Sequence, residues 1–324
     1  MRVLSGIQPS GDLHLGNYFA MMKRMIEYQE NHDLYCFIVN YHALTTVHDA
    51  AFLRQQTLEV AVDFLALGLD PNKATFWVQS DMPEVHELTW LLSIVTPLGL
   101  LERCHAYKDK LAKGKMPSHG LFSYPVLMAA DILICGGEKV PVGKDQKQHL
   151  EVARDIAIKF NNTFGETFVV PEEDIAEEIA TVPGTDGQKM SKSYGNTINL
   201  FADEKTLRQQ VMSIKTDSTP VDQPKPVEGN PLFDIYSLFL DKKGKEELRE
   251  RFLTPGLKYS DVKKELFGVI WEYFAPYRAR RQQLLNDPAY VIDVLKYGAQ
   301  KARNQAEYYL TKARRNVGLN YAEI

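Results

Sequence analysis

Short apolar runs alternate with stretches of helical periodicity through the first half of the chain. Residues 2–5, 34–39 and 74–79 read as buried strands, and 139–142 as a shorter one. Apolar runs of that length suit a sheet covered on both faces. Between them, 16–30 and 50–67 read as helices. The second places Leu58, Val62 and Leu65 on one face and stops at Gly68, with Pro71 just beyond. This alternation predicts a parallel α/β sheet. From 101 to 120 the apolar pattern fades while Arg103, Lys108, Lys110, Lys113 and Lys115 accumulate, which reads as an exposed, mobile insertion over a site. Residues 218–231 carry Pro220, Pro224, Pro226, Gly229 and Pro231 and read as an irregular connector. Beyond it Ala299, Ala302, Ala306, Tyr309 and Ala313 recur at helical spacing. The predicted architecture is a parallel-sheet α/β domain followed by an all-helical C-terminal domain.

Composition narrows the class without naming it. The 324 residues, 44% hydrophobic and 25% charged, suffice for two domains with a buried core. The net charge of −4 does not announce a nucleic-acid binder. Its distribution is more telling: 277–324 holds nine Lys and Arg against four Asp and Glu. A basic stretch on an acidic body can meet a phosphate backbone locally, although a solvated helix face reads the same way. Cys36, Cys104 and Cys135 show no ligand-like spacing, so neither a disulfide framework nor a metal–thiolate site is expected. The opening residues, MRVLSGIQPSG, hold no apolar stretch long enough for a signal peptide, and none is expected. The longest apolar stretch, 88–101, is broken by Thr89, Ser93, Thr96 and Pro97 and falls short of the ~20 residues of a membrane span. A cytoplasmic protein with no membrane contact is expected.

Two motifs carry candidate chemistry. Gly6-Ile7-Gln8-Pro9-Ser10-Gly11 follows the first predicted strand, and His14-Leu15-Gly16-Asn17 opens the next helix. Such a turn aims backbone N–H groups and a positive helix end at the crevice where nucleotides bind. Gly16 lets a flat base approach the backbone, and His14 and Asn17 can donate to phosphate oxygens. The dinucleotide fingerprint GxGxxG is absent, which counts against a dehydrogenase. Far along the chain, Asp186-Gly187-Gln188 precedes Lys189-Met190-Ser191-Lys192-Ser193, followed by Tyr194-Gly195-Asn196. Two lysines interleaved with hydroxyls and flanked by glycines suit a loop that closes on a polyphosphate. Either motif alone fits a structural turn or a solvated loop. Together they are specific.

The pair resembles the two signatures of class I aminoacyl-tRNA synthetases. The wording SGIQPSG at 5–11, HLGNY at 14–18, YPVLMAADIL at 124–133 and VPVGKDQKQH at 140–149 is similar to the tryptophanyl branch of that family, and the likeness runs from residue 3 to beyond Tyr236. It implies a Rossmann-like catalytic domain over 1–195, with the basic excursion near 101–120, and a helical tRNA (anticodon)-binding domain over 196–324. The implied reaction is ATP-dependent activation of L-tryptophan to its adenylate and transfer to tRNA. The resemblance further implies Mg²⁺ accompanying ATP, no structural metal held by the protein, and a homodimeric assembly. By the same resemblance His14, Asn17, Lys110, Lys189 and Lys192 are catalytic. Gln8, Pro9, Ser10, Gly16, Asn17, Gly143, Lys144, Asp145, Val182, Lys189, Met190, Ser191, Lys192 and Ser193 meet ATP. Asp131, Tyr124, Met128, His42, Val140, Val142 and Gln146 surround the amino acid.

Asp131 stands out independently. It lies in the otherwise apolar run 127–135, where a carboxylate is costly unless hydrogen-bonded. Tyr124, Met128, Asp131 and Cys135 share one helix face. An ionised carboxylate only accepts, and indole offers one donor, so apolar walls with one acceptor suit tryptophan. A structural cap or ion-pair partner is the other reading of Asp131. Tyrosine, whose phenol also donates, remains the competing substrate. Further alternatives are a nucleotidyltransferase of the same superfamily and a catalytically silent synthetase-like protein. Asn17 stands where many class I enzymes have a second histidine, and Leu4 and Asn40 also depart from frequent family choices. His86, His105, Trp77, Trp90 and Trp271 have no motif support and read as surface or core residues.

Overall fold

The computed structural model describes residues 1–324 except 10, 115, 144–146, 176–181 and 323–324, with the backbone alone at 142 and 175. Its centre is a five-stranded sheet of β1 (Arg2–Ile7), β2 (Asp33–Ile38), β3 (Ala74–Val78), β4 (Lys139–Val142) and β5 (Glu172–Ile175), in the order β3-β2-β1-β4-β5. Every pairing is parallel, so the fold is Rossmann-like. The strand order reverses between β1 and β4, and their C-terminal ends part there to leave a crevice. In β1 the strand continues two residues past the expected 2–5 and takes in Gly6 and Ile7. Gly6 fits only without a side chain, since an added Cβ would come within 2.7 Å of Val39 Cγ1.

β5 has no apolar run to announce it. It is an edge strand, Glu-Glu-Asp-Ile, and charge on an edge discourages pairing with other chains. Its Asp174 also works as a clasp: it accepts from Arg24 at 2.9 Å and from the Tyr28 hydroxyl, with the Lys139 ammonium at 3.6 Å. Together these hold its carboxyl below the usual carboxylate range against the opposing effect of burial, the largest single influence.

The region read as one helix over 16–30 is three pieces: α1 (Leu15–Asn17), a π-helical turn Tyr18–Met22, and α2 (Lys23–Tyr28). Such turns collect at functional sites. This one seats the buried Tyr18 against Phe274 and within 3.0 Å of the Tyr273 hydroxyl. After α3 (Asn40–Ala43), α4 (Ala50–Ala66) starts at Asp49, whose carboxylate caps the Ala51 and Phe52 N–H groups. Val62 and Leu65 face the core as expected, but Leu58, midway along α4, does not: it is 40% exposed.

On the opposite face lie α5 (Glu84–Val95), α6 (Leu98–Glu102), α7 (His105–Ala112), α8 (His119–Ile134) and α9 (Lys147–Phe164). The basic excursion is thus largely α7, a helix with no buried residue that rests on α8 through Tyr107 against Phe122. The remainder is helical: α10 (Glu204–Met212), α11 (Pro231–Ser237), α12 (Lys242–Leu253), α13 (Tyr259–Tyr273), α14 (Ala275–Leu285) and α15 (Pro288–Asn316). The connector before α11 is irregular yet pinned. Lys225, 2% exposed, donates to the Thr219 and Pro220 carbonyls at 2.6 and 2.5 Å.

The stripe Ala299, Ala302, Ala306, Tyr309 and Ala313 is buried on α15, but against the sheet layer rather than within a separate bundle. Its small residues let the helix lie directly on β3, where a Cβ on Gly298 would fall 1.8 Å from the Phe76 carbonyl oxygen. Arg303 and Arg314 pair with Glu84 and Glu87 of α5 at 2.6 and 2.5 Å, and Arg281 pairs with Asp63 at 2.6 Å. Part of the basic excess near the C-terminus is therefore already neutralised inside the molecule. Among the described residues no helix is long and apolar enough to cross a membrane, and the three cysteines are buried and unlinked.

Candidate active site

The crevice between β1 and β4 is where the two motifs meet. His14 caps α1: its Nδ1 accepts from the Asn17 N–H at 3.3 Å, and the Asn17 Oδ1 accepts from the His14 N–H at 3.1 Å. With Nδ1 an acceptor, the neutral ring keeps its proton on Nε2. Burial, then the nearby Lys192 charge, lowers the His14 pKa from 6.5 to about 4, so the ring is neutral at physiological pH. A short bridge to Asn199 and the bond from Leu15 N–H to the Ile198 carbonyl at 2.9 Å tie this turn to the chain after the lysine motif.

The lysine motif folds back onto it. Met190, 3% exposed, lies over Gly16, whose N–H points at its sulfur at 3.3 Å. A Cβ on Gly16 would crowd His14 Nδ1 at 2.9 Å and Met190 Cβ at 3.3 Å, so the close approach of the two motifs depends on that glycine. Lys192 reaches the first motif as well: its Nζ would be 3.6 Å from a Cβ on Gly11. Partial loss of water around that ammonium lowers its pKa, although the residue as a whole stays exposed, and Asp12 opposes the shift. Lys189 is exposed, Val182 is buried, and the bond from Met190 N–H to the Val182 carbonyl at 2.9 Å ties them together. Ser191 caps the turn Lys192–Tyr194 through Ser193 N–H at 3.3 Å.

Deeper in the crevice is the carboxylate singled out from sequence. Asp131, on α8, is 2% exposed. Its Oδ2 accepts from Gln79 Nε2 at 2.8 Å and lies 2.9 Å from His42 Nε2. Its Oδ1 is buried and, among the described residues, has no hydrogen-bond partner. A buried acceptor left open in this way is costly, so it has the capacity to take a further donor. Around it stand His42, whose ring meets Tyr124 edge-on at 6.0 Å, the half-buried Met128 one turn along α8, and the buried Val140 on β4. The Tyr124 hydroxyl is bonded to His149 on α9, and burial raises its pKa to about 12.

Gln8 is exposed at the end of β1, Pro9 is buried, and Gly143 follows β4 at the crevice. Ser10, Lys144, Asp145, Gln146 and the side chain of Val142 lie outside the described residues. Lys110 sits in the last turn of α7 and, among the described residues, makes no hydrogen bond or ion pair with either motif. Two partners were not legible in the sequence. Gln79, wholly buried, follows β3 and joins the site by holding Asp131, while its Oε1 accepts from the Tyr41 N–H at 3.0 Å. Asn196, three residues past the lysine motif, is buried beneath it. A polar residue at the C-terminal end of a parallel strand was the available signal for Gln79. Nothing in the pattern marks Asn196.

Comparison with known proteins agrees with this geometry. A family model for class I tRNA synthetases (W and Y) matches residues 1–275. The chain is 52% identical over 319 residues to a tryptophan–tRNA ligase of Campylobacter jejuni, covering 98% of this chain and 100% of that one. It is 53% identical over 319 residues to the same ligase of Fusobacterium nucleatum, covering 98% of each. The crystal structure of the Campylobacter jejuni tryptophanyl-tRNA synthetase complexed with ADP and tryptophan aligns with a TM-score of 0.92 at 52% identity, over 98% of this chain and 100% of that one. A tyrosyl-tRNA synthetase from Archaeoglobus fulgidus, TM-score 0.67 and 22% identity over 86% of this chain and 90% of that one, shares the fold alone.

Proposed function

The chain belongs to the class I tRNA synthetases of the tryptophan and tyrosine branch, and from that membership and the site we infer its reaction: ATP-dependent ligation of L-tryptophan to tRNA. The observation that carries the choice of amino acid is the open Oδ1 of Asp131. Its other oxygen is held by Gln79 and His42, so one acceptor remains, and the indole Nε1–H is one donor. The relatives at 52–53% identity are tryptophan–tRNA ligases, which favours tryptophan over the tyrosine alternative. ATP–pyrophosphate exchange with tryptophan and tyrosine side by side tests the reading. Exchange with tyrosine and none with tryptophan would refute it.

Activation is an in-line attack of the tryptophan carboxylate on the α-phosphorus of ATP, which forms the adenylate and releases pyrophosphate. No covalent enzyme intermediate is needed, so catalysis rests on placement and on charge stabilisation. In the proposed roles, the neutral His14 donates from Nε2 to the phosphates, and Asn17 and Gly16 line the same turn. Lys189 and Lys192 neutralise the charge that builds on the leaving pyrophosphate, helped by Ser191 and Ser193, and Lys110 reaches it from α7. Gln8, Pro9, Ser10, Gly143, Lys144, Asp145, Val182 and Met190 are assigned to the nucleotide. His42, Tyr124, Met128, Val140, Val142 and Gln146 are assigned to tryptophan.

Among the described residues no three His, Cys, Asp or Glu side chains gather into a cation site. Mg²⁺ is accordingly proposed to arrive on the phosphates of ATP, the usual habit of an ion that sheds water reluctantly. Residues 1–195 are proposed as the activation domain and 196–324 as the helical tRNA-binding domain, with α15 returning to brace the sheet. A homodimer is proposed on the apolar surface of α5 and α6, where Trp90 and Ile94, one turn apart on α5, and Leu98 at the start of α6 are 67%, 60% and 68% exposed. The cytoplasm is the expected compartment.

A further inference from the structure

The lysine loop has no regular secondary structure between Asp186 and Ser191, and one buried side chain gathers its backbone. Asn196 is 2% exposed. Its Oδ1 accepts from the Ser191 N–H at 2.8 Å. Its Nδ2 donates to the Asp186 carboxylate at 2.7 Å and to the Lys189 carbonyl at 3.1 Å. One amide therefore ties the start of the loop and the two peptides that flank Met190, between the two lysines. Gly184 lies flat against it: an added Cβ would come within 2.2 Å of Asn196 Nδ2 and 2.8 Å of its carbonyl oxygen. The Asn196 carbonyl in turn accepts from the Thr185 N–H at 2.9 Å, which closes the cradle.

We propose that Asn196 is a positioning residue for amino-acid activation: through the backbone of Lys189 and Ser191 it sets both lysines against the departing pyrophosphate, and position 184 is glycine to admit it. The proposal rests on the roles given to Lys189 and Lys192 above. The physical requirement is strict. Lysines aimed at charge that develops only in the transition state act fully when held within about 0.5 Å of their working position, and on an irregular loop such placement begins with a fixed backbone beneath them. A buried amide with three bonds supplies it, because breaking any one leaves a desolvated donor or acceptor. Asn196 touches no reacting atom.

Three variants separate this role from plain support of the fold. Asn196→Asp keeps the shape and the acceptor for Ser191 but turns an oxygen toward Asp186 and the Lys189 carbonyl. Gly184→Ala displaces the amide without altering it. The exchanged pair, Asp186→Asn with Asn196→Asp, again sets one donor against one acceptor. In tryptophan-dependent ATP–pyrophosphate exchange, kcat falls at least ~10-fold in the first two and recovers in part in the third. Tryptophan affinity without ATP, measured by calorimetry, stays within about twofold throughout. An unchanged kcat in both single variants overturns the proposal. So does a joint fall of kcat, tryptophan affinity and melting temperature, or an exchanged pair no better than Asn196→Asp alone. Absence of tryptophan-dependent exchange in the unaltered enzyme would instead overturn the reaction itself, so the two failures are distinguishable.

Discussion

Replacing Asp131 by asparagine tests the recognition of indole with almost no change of shape. The geometry dictates how the new amide settles. Gln79 Nε2 at 2.8 Å and His42 Nε2 at 2.9 Å surround Oδ2, so the amide oxygen stays there and the NH₂ takes the place of Oδ1. The pocket then faces the indole N–H with a donor instead of an acceptor. The loss is a hydrogen bond to a charged group, worth roughly 1.5–3 kcal/mol, plus the cost of opposed, desolvated donors, about 1–3 kcal/mol. The sum of roughly 2.5–6 kcal/mol weakens tryptophan by about 10²–10⁴-fold. Pyrophosphate exchange at varied tryptophan reads the loss, and the KM for ATP at saturating tryptophan stays near the unaltered value. An analogue with sulfur in place of the indole N–H isolates the bond itself. The unaltered enzyme prefers tryptophan to this analogue strongly, and Asp131→Asn loses the preference. A variant that still binds tryptophan within about threefold of normal, or keeps the preference, would refute the reasoning.

Lys192→Ala lowers kcat of activation by roughly 10²-fold, as removal of a transition-state donor does, with tryptophan affinity unchanged. The same change raises the His14 pKa by removing a repelling charge, which an NMR titration of the ring reports; an unmoved pKa would place the lysine elsewhere. Because His14 is held near 4 instead of 6.5, the unfolded chain takes up a proton that the native site refuses as pH falls between those values. Native stability therefore drops by on the order of 2–3 kcal/mol by about pH 4.5 and is untouched by this group above 6.5. Urea melts show that dependence reduced in His14→Gln, and an equal loss in both proteins would count against it. Gly298→Ala forces α15 off β3 and destabilises by about 3 kcal/mol in chemical denaturation. On the proposed homodimer, Trp90→Asp shifts sedimentation from dimer to monomer; an unchanged dimer would move the interface elsewhere.

What could be read from the residues, and what could not, follows the physics of each signal. β2 and β3 are covered on both faces, so their sequences are nearly continuous apolar runs, interrupted only by Asp33 and Thr75, and announce themselves. β5 is an edge strand made of charges, and no run of apolar residues reveals it. The alanine stripe of α15 was legible as a helix face, because periodicity is local; that it faces the sheet is a long-range fact that periodicity does not encode. The π-helical turn shifts the helical register by adding a residue, and an apolar pattern with a shifted register still looks helical. In the site, Asp131 was conspicuous because a carboxylate among leucines and isoleucines demands an explanation. Gln79 and Asn196 do as much holding, yet a buried amide looks like any exposed one until its partners are placed. His14 and the lysines were legible as chemistry, while their meeting through Gly16 and Met190 was not.

The seat of α15 on β3 also imposes an order on how the protein comes into being. Glu84 and its partner Arg303 are 219 residues apart, so a ribosome working at 5–20 residues per second leaves the outer flank of the sheet bare for roughly 10–40 s after β3 has emerged. Gly298 comes to rest on Phe76, and Gln79, which holds Asp131, is only three residues further along. A nascent chain interrupted before α15 has both motifs and most of the catalytic side chains but no brace behind its amino-acid pocket. Translation thus makes this enzyme of translation nearly whole before it can work, and a prematurely released fragment is left without the support that lets it select an amino acid.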